Sequence, residues 1–219
     1  MITFSDIKND ERIKTFIARA DASLLALGYT EHSFAHVGMV SSNAAYILEM
    51  LGYSEHEVEL VRIASYLHDI GNLVNRIDHA QSGAFLAFEL LRARNFPVDE
   101  VIKVTTAIGH HDEKTAAAVT PIAAALILAD KSDVRTSRVR NKKTVSTDIH
   151  DRVNYAVSNS KLDINAEKKM ICLTLKIDTL VCAVMDYFEI FLERMVLCKK
   201  SAEFLGCDFE LIINDTRLL

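Results

Sequence analysis

The chain reads as a mainly α-helical bundle followed by a small α+β appendage. Three observations predict this. Half of the 219 residues are hydrophobic, while Gly (7) and Pro (2) are scarce and Trp is absent, which favours helices joined by short connections. Apolar residues recur every three or four positions through about residue 140. Near the end, "MICLTLKID" alternates apolar and polar residues in the manner of a strand.

The elements follow in order. Over residues 10–27, Ile13, Phe16, Ile17, Ala20, Leu24 and Leu27 share one helical face, and Gly28 suits the C-cap. Residues 33–51 repeat the pattern with Val37, Val40, Ala44, Ile47, Leu48 and Leu51, stopped by Gly52. Ser54 and Glu57 make a capping box for a helix that carries Val58, Val61, Ala64 and Leu67 and stops near Gly71. Residues 80–94 form the next helix, broken by Asn95 and Pro97. "VDEVIKVTTAI" forms a fifth, ending at Gly109. Thr120 and Pro121 place an N-cap and a first-turn proline before a buried helix, "IAAALILADKSDVR".

A polar, basic segment from Arg138 to Thr147 has no apolar period, and "DIHDRVNYAV" is one more amphipathic helix. The appendage then reads as "KLDI", the turn "NAEKK", the alternating strand with Ile171, Leu173, Leu175 and Ile177 on one face, a helix over roughly 179–205 stopped by Gly206, and a last strand "DFELIIN". The boundary falls between 1–158 and 159–219.

Composition narrows the function. The N-terminal "MITFSDIKNDERIK" has no apolar signal-peptide core, and "IAAALILA" is too short to span a bilayer, so no membrane partner is expected. Cys172, Cys182, Cys198 and Cys207 form no CxxC pair and read as reduced, mostly buried thiols of a cytoplasmic protein. A net charge of −5 disfavours a general nucleic-acid binder.

The polar residues that carry chemistry sit at helix ends. "SYLHDIGNLV" places His68 and Asp69 side by side where an apolar helix stops. Composition alone predicts fewer than one His-Asp pair, yet there are three, so this pair gains meaning only from its company. His36 lies in the first turns of its helix, His79 opens another, His110 and His111 follow a third, and Asp130 lies late in the apolar helix. A carboxylate inside an apolar helix must be paired, coordinated or neutralised. Helix ends converging on one side of a bundle would make a polar pocket of mixed N/O ligands suited to Zn, Fe, Mn or Ni. His150-Asp151 has no comparable company and reads as a solvated helix start. His32 and His56 read as surface residues, although His32 is one turn from His36 and can face the pocket.

The order His36, His68-Asp69, His79, His110-His111, Asp130 resembles the HD superfamily of metal-dependent phosphohydrolases, which fold as helical bundles. "SYLHDIGN" is similar to the family's apolar-HD-Ile-Gly segment, and "LADKSD" to its distal "ADxxD" segment. His36, His68, Asp69 and Asp130 match the minimal pattern. His79, His110 and His111 match the expanded pattern of dinuclear branches, which include cyclic-dinucleotide phosphodiesterases and diadenosine-tetraphosphate hydrolases. The resemblance covers roughly residues 30–140. It implies two divalent metals, with Fe, Mn, Zn, Ni and Mg not distinguished. Asp69 would bridge them, with His36, His68 and Asp130 on one and His79, His110 and His111 on the other. Asp69 and His68 are then the catalytic core, and a bridging hydroxide attacks phosphorus in a nucleotide-like phosphate ester or anhydride.

Two departures bear on substrate. Asn72 stands where many relatives carry Lys, and "DEKTAAAV" follows His111 where cyclic-dinucleotide phosphodiesterases carry Gly-Tyr-Pro, which disfavours that activity. A basic run offers compensation: Lys131, Arg135, Arg138 and Lys142 share one face if the helix continues, which would set Lys131, Arg135 and Arg138 on substrate phosphates. The alternative use of that run is a solvated face paired with Asp133 and other acids. No aromatic residues interleave with it, against a nucleic-acid groove. Two further functions are weighed beside the enzyme: a regulatory module that binds metal or nucleotide without turnover, and a redox diiron enzyme. The apolar "MDYFEIFLERM" either packs on its own sheet or shares in a homodimer interface.

Overall fold

The structure, a computed structural model, describes residues 3–219. A one-and-a-half-turn helix α1 (Phe4–Asn9), unexpected from periodicity, opens it with a capping box between Thr3 and Asp6. The bundle continues with α2 (Glu11–Ala26), α3 (Phe34–Met50), α4 (Glu55–Leu67), α5 (His79–Arg92), α6 (Val98–Gly109) and α7 (Pro121–Lys131). The caps read from sequence are present. Ser54 and Glu57 form their capping box, and the Thr120 hydroxyl accepts from the Ala123 amide with Pro121 in the first turn.

Helix α7 is the axis. Ile122 through Ala129 are all buried, with α3, α4 and α6 of the bundle packed around it. Its apolar surface is continuous around the helix, as a buried position requires. Asp130 therefore emerges at the end of a fully enclosed rod and can point only where that rod opens.

Between α4 and α5 the chain makes a 3-10 turn, Ile70–Leu73, that lies against the first turn of α5. Gly71 allows this. A Cβ there would stand 1.9 Å from the His79 carbonyl and 2.5 Å from the Gly83 amide nitrogen.

Beyond α7 the expected continuing helix does not form. Ser132 ends α7, Arg135 is extended at φ −161°, and Thr136–Arg138 is a single 3-10 turn. Polar side chains compete for the backbone here: the Ser132 hydroxyl donates to the Ala129 carbonyl, and the Arg138 guanidinium donates to the carbonyls of Glu31 and Asp133.

Helix α8 (Ile149–Ala156) leads directly into β1 (Val157–Asn165), longer than "KLDI" alone suggested. β1 pairs antiparallel with β2 (Met170–Ile177), whose Ile171, Leu173, Leu175 and Ile177 are all buried as the alternation predicts. Helix α9 (Val184–Phe204) begins five residues later than expected and crosses to β3 (Asp208–Ile213), parallel to β2. A short fourth strand, β4 (Thr216–Arg217), was not expected and completes a sheet in the order β1-β2-β3-β4. Helix α9 packs on α7 as well as on the sheet, so the apolar cores of bundle and sheet are one cluster. No helix among the described residues is long and apolar enough to cross a membrane.

Candidate metal centre

The helix ends converge. His36 from the first turn of α3, His68 at the C-cap of α4, Asp69 beside it, His79 at the start of α5, His111 after α6 and Asp130 at the end of α7 meet around one point. Four imidazoles are oriented in the same way. His68 Nδ1 donates to the Ser65 carbonyl (2.7 Å), His79 Nδ1 to that of Arg76 (3.1 Å) and His111 Nδ1 to that of Ile108 (2.6 Å), each three residues upstream. His36 Nδ1 instead donates to Asp133 Oδ2 at 2.7 Å. Carbonyl and carboxylate oxygens only accept, so each Nδ1 carries a hydrogen and each Nε2 is the ring nitrogen turned toward the centre. Orienting a ligand through its second ring nitrogen is how proteins prepare histidines for metals.

The bare atoms face one another. His36 Nε2 lies 3.5 Å from Asp69 Oδ2 and 3.3 Å from Asp130 Oδ1, and His68 Nε2 lies 3.2 Å from Asp69 Oδ2 and 3.7 Å from Asp130 Oδ1. On the other side His79 Nε2 lies 3.6 Å from Asp69 Oδ1 and 3.2 Å from His111 Nε2. His36 Nε2, His68 Nε2 and Asp69 Oδ2 are buried without a hydrogen-bond partner, an expensive arrangement for polar atoms in an apolar scaffold. Two groups of ligand atoms are close enough to hold an ion: His36, His68 and Asp130, and His68, Asp69 and His111. The donor set thus fits a borderline divalent cation.

The electrostatics agree. Burial works against charge on Asp69 and Asp130, yet the surrounding histidines, and for Asp130 first of all Lys131, hold both carboxyls well below the usual range. Burial likewise opposes the His68 imidazolium, but Asp69 and Asp130 outweigh it and raise its pKa to about 10. The two carboxylates therefore create a point that attracts positive charge. His111 and His79 are pushed down, by burial first and then by the neighbouring cationic groups, and stay neutral as ligands must.

Two expected residues do not join. His110 is the half-buried C-cap of α6 and lines no part of the cavity; where the helix ends, adjacent side chains diverge, and His111 takes the inward direction. Arg135 turns away with the extended backbone and spends its guanidinium on Asp133, Glu31 and Ser137. With α7 ended, the basic stripe dissolves: Lys142 is exposed and sits over Tyr155, Arg138 is buried against backbone carbonyls, and Lys131 alone is held beside Asp130, 2.6 Å from its Oδ2.

A cavity of about 340 Å³ opens above the ligands, a size suited to a small molecule. The loop Leu27–Thr30 and His32 form one side. His150, Asp151 and Asn154 of α8 and Phe191 and Arg194 of α9 form the other. His150 is exposed in the first turn of α8 as expected, but Asp151 is buried, and both residues line the cavity. His32 does face the pocket, its ring 5.4 Å from that of His36, whereas His56 is exposed beside Glu100 as expected. Asn72, buried, donates to Asp69 Oδ1 and to the Asp69 carbonyl, both at 2.9 Å, and accepts from Arg76. Arg76 stacks over Tyr29 and so brings a cation to the site one turn beyond the position where many relatives carry Lys. Arg76, Glu113, Phe191 and Arg194 gave no sequence signal, because loop and long-range partners leave no local period. Asp133 was legible only as the second acid of "ADxxD".

A ring of histidines and aspartates at converging helix ends defines a helical domain with a candidate metal site. Residues 33–135 match the family model described as HD domain. The chain is also 24% identical over 159 residues, 63% of its own length, to an uncharacterized protein of Methanocaldococcus jannaschii. It spans 61% of that relative's length.

Proposed function

We propose that the protein is a metal-dependent phosphohydrolase that cleaves a phosphate ester or anhydride of a small, nucleotide-like molecule. One observation carries this reading: the two oxygens of Asp69 face opposite ways, Oδ2 toward His36 and His68 and Oδ1 toward His79, beside a cavity that also holds Lys131 and Arg76. A carboxylate divided in this way suits a bridging ligand between two divalent cations. His36, His68 and Asp130 would hold one, and His79 and His111 the other. Such cations would supply a hydroxide at neutral pH and shield the charge of phosphoryl oxygens.

The chain's own residues do the rest. Asn72 holds Asp69 Oδ1 in place, and Asp133 holds His36. Lys131 and Arg76 offer positive charge to the phosphoryl oxygens, Arg76 in the fork geometry that suits phosphate. Helices α8 and α9 wall off bulk water, which strengthens each of these interactions.

The test is metal content and phosphate release from p-nitrophenyl phosphate and a panel of nucleotides, for the parent and Asp69→Ala. The parent should carry about two metals per chain and release phosphate. Asp69→Ala should lower release by about 10³-fold or more. Metal without turnover in the parent would favour a regulatory binding module. Oxygen-dependent spectral change would favour a diiron redox site.

A further inference from the structure

Glu113 stands in the loop after α6, outside the ligand set. Its Oε1 lies 2.5 Å from Arg194 Nε of α9 and 3.6 Å from Lys131 Nζ. Both cations are pre-positioned. Lys131 is buried and tied to Asp130, whose other oxygen faces His36 and His68. The Arg194 guanidinium sits over the buried Phe191 ring, 4.2 Å from its centroid. No nitrogen of Arg194 makes a hydrogen bond among the described residues, the buried Nε beside Glu113 included, and all three charged residues line the cavity above the candidate metal ligands. One carboxylate thus bridges two fixed cations, one carboxyl group away from the metal centre.

We propose that Lys131 and Arg194 form a second anion subsite, and that Glu113 is the resident carboxylate a substrate displaces. The inference rests on the phosphohydrolase reading and deepens it: the substrate carries two phosphoryl groups, one at the metal ligands and one between Lys131 and Arg194. The spare fork of Arg194 matches the oxygens of a phosphoryl group, and Glu113 holds the subsite charge-balanced until such a group arrives. The subsite also gives the appendage a specific task, since Arg194 comes from α9.

The experiment is calorimetric titration of the full-length protein with inorganic pyrophosphate, beside orthophosphate, for the parent, Glu113→Gln and Arg194→Ala. Removing the resident carboxylate should tighten pyrophosphate about tenfold, and removing the guanidinium should weaken it about tenfold. Orthophosphate should shift less in both. Opposite signs are the signature, because a salt bridge with a merely structural role would make both variants bind worse. Equal weakening, or no change in either, overturns the proposal. Should Arg194→Ala lose its helical circular dichroism, Glu113→Gln, a half-exposed loop substitution, decides alone: tighter binding supports the subsite, and unchanged or weaker binding overturns it. Metal content and phosphate release measured on the same parent sample separate this from the reading beneath it. A parent that holds metal and releases phosphate, yet binds pyrophosphate no more weakly than Glu113→Gln, sinks the subsite alone.

Discussion

At the scale of residues, the site is built by placing hydrogens. Each imidazole spends its Nδ1–H on an acceptor, and only His36 spends it on a carboxylate. Asp133 is itself held below the usual carboxyl range: burial opposes its charge, but His36 and Arg138 outweigh burial. Asp133→Asn keeps the shape and an acceptor oxygen while removing the charge that makes His36 a stronger donor to metal. Metal affinity, read by competition with a chelator, should fall about 10-fold to 100-fold. An unchanged affinity would mean that Asp133 does not act through His36. The residues that converge were legible in the sequence as a spaced set, because His36, His68, Asp69, His79, His111 and Asp130 lie at or near the ends of apolar helices in the order of the family they resemble, though each alone is a weak signal. Arg194 and Glu113 were not, since their meeting depends on how α9 docks and no local pattern encodes that. His110 misled for a complementary reason: adjacency in sequence says nothing about which of two neighbours turns inward.

At the scale of elements, the decisive feature is how closely the Ile70–Leu73 turn approaches α5. That approach sets His68 and Asp69 opposite His79, and Gly71 permits it. Gly71→Ala would drive a methyl into the His79 carbonyl and the Gly83 amide, both backbone groups that cannot rotate aside. The cost should reach about 3 kcal/mol, or roughly a 10 °C fall in Tm for a chain of this size, with loss of bound metal alongside. Gly38→Ala is the control: it lies within α3, its Cβ would meet nothing within 4 Å, and helix propensity predicts a neutral or slightly stabilising change of up to about 1 kcal/mol. Equal melting of parent and Gly71→Ala would show that the turn stands further from α5. Most elements were readable because caps and periodicity agreed, as at Ser54, Thr120 and the alternating strand β2. The errors fall where the two signals part. Helix α1 is too short to show a period. The run after Lys131 has helical charge spacing, but its Ser, Asp and Arg side chains prefer the backbone, so α7 stops and the basic stripe scatters.

At the scale of the molecule, α9 is the piece that joins bundle to sheet. It lies between α7 and the strands, and the apolar core passes through it without a break. A charge placed inside that junction is therefore felt by both halves at once. Burial pushes the Cys198 thiol up to about 12, and burial together with Asp186 pushes Cys182, just before α9, to about 11. Burial also drives the Tyr187 phenol upward. In the unfolded chain thiols lose their protons near pH 8.5. The folded state keeps them longer, so stability is complete below that point and falls as pH rises toward 11 and 12. The urea midpoint should thus drop steadily from pH 8.5 to pH 11, with bundle and sheet melting in one transition. In Cys198→Ala the midpoint should start lower, because a cavity replaces the sulfur, but decline less steeply with pH. A decline of the same slope in parent and variant would mean that the Cys198 thiol titrates alike in both states. Two separate transitions would mean that α9 does not couple the sheet to the bundle, and would remove the physical basis for placing Arg194 in the site.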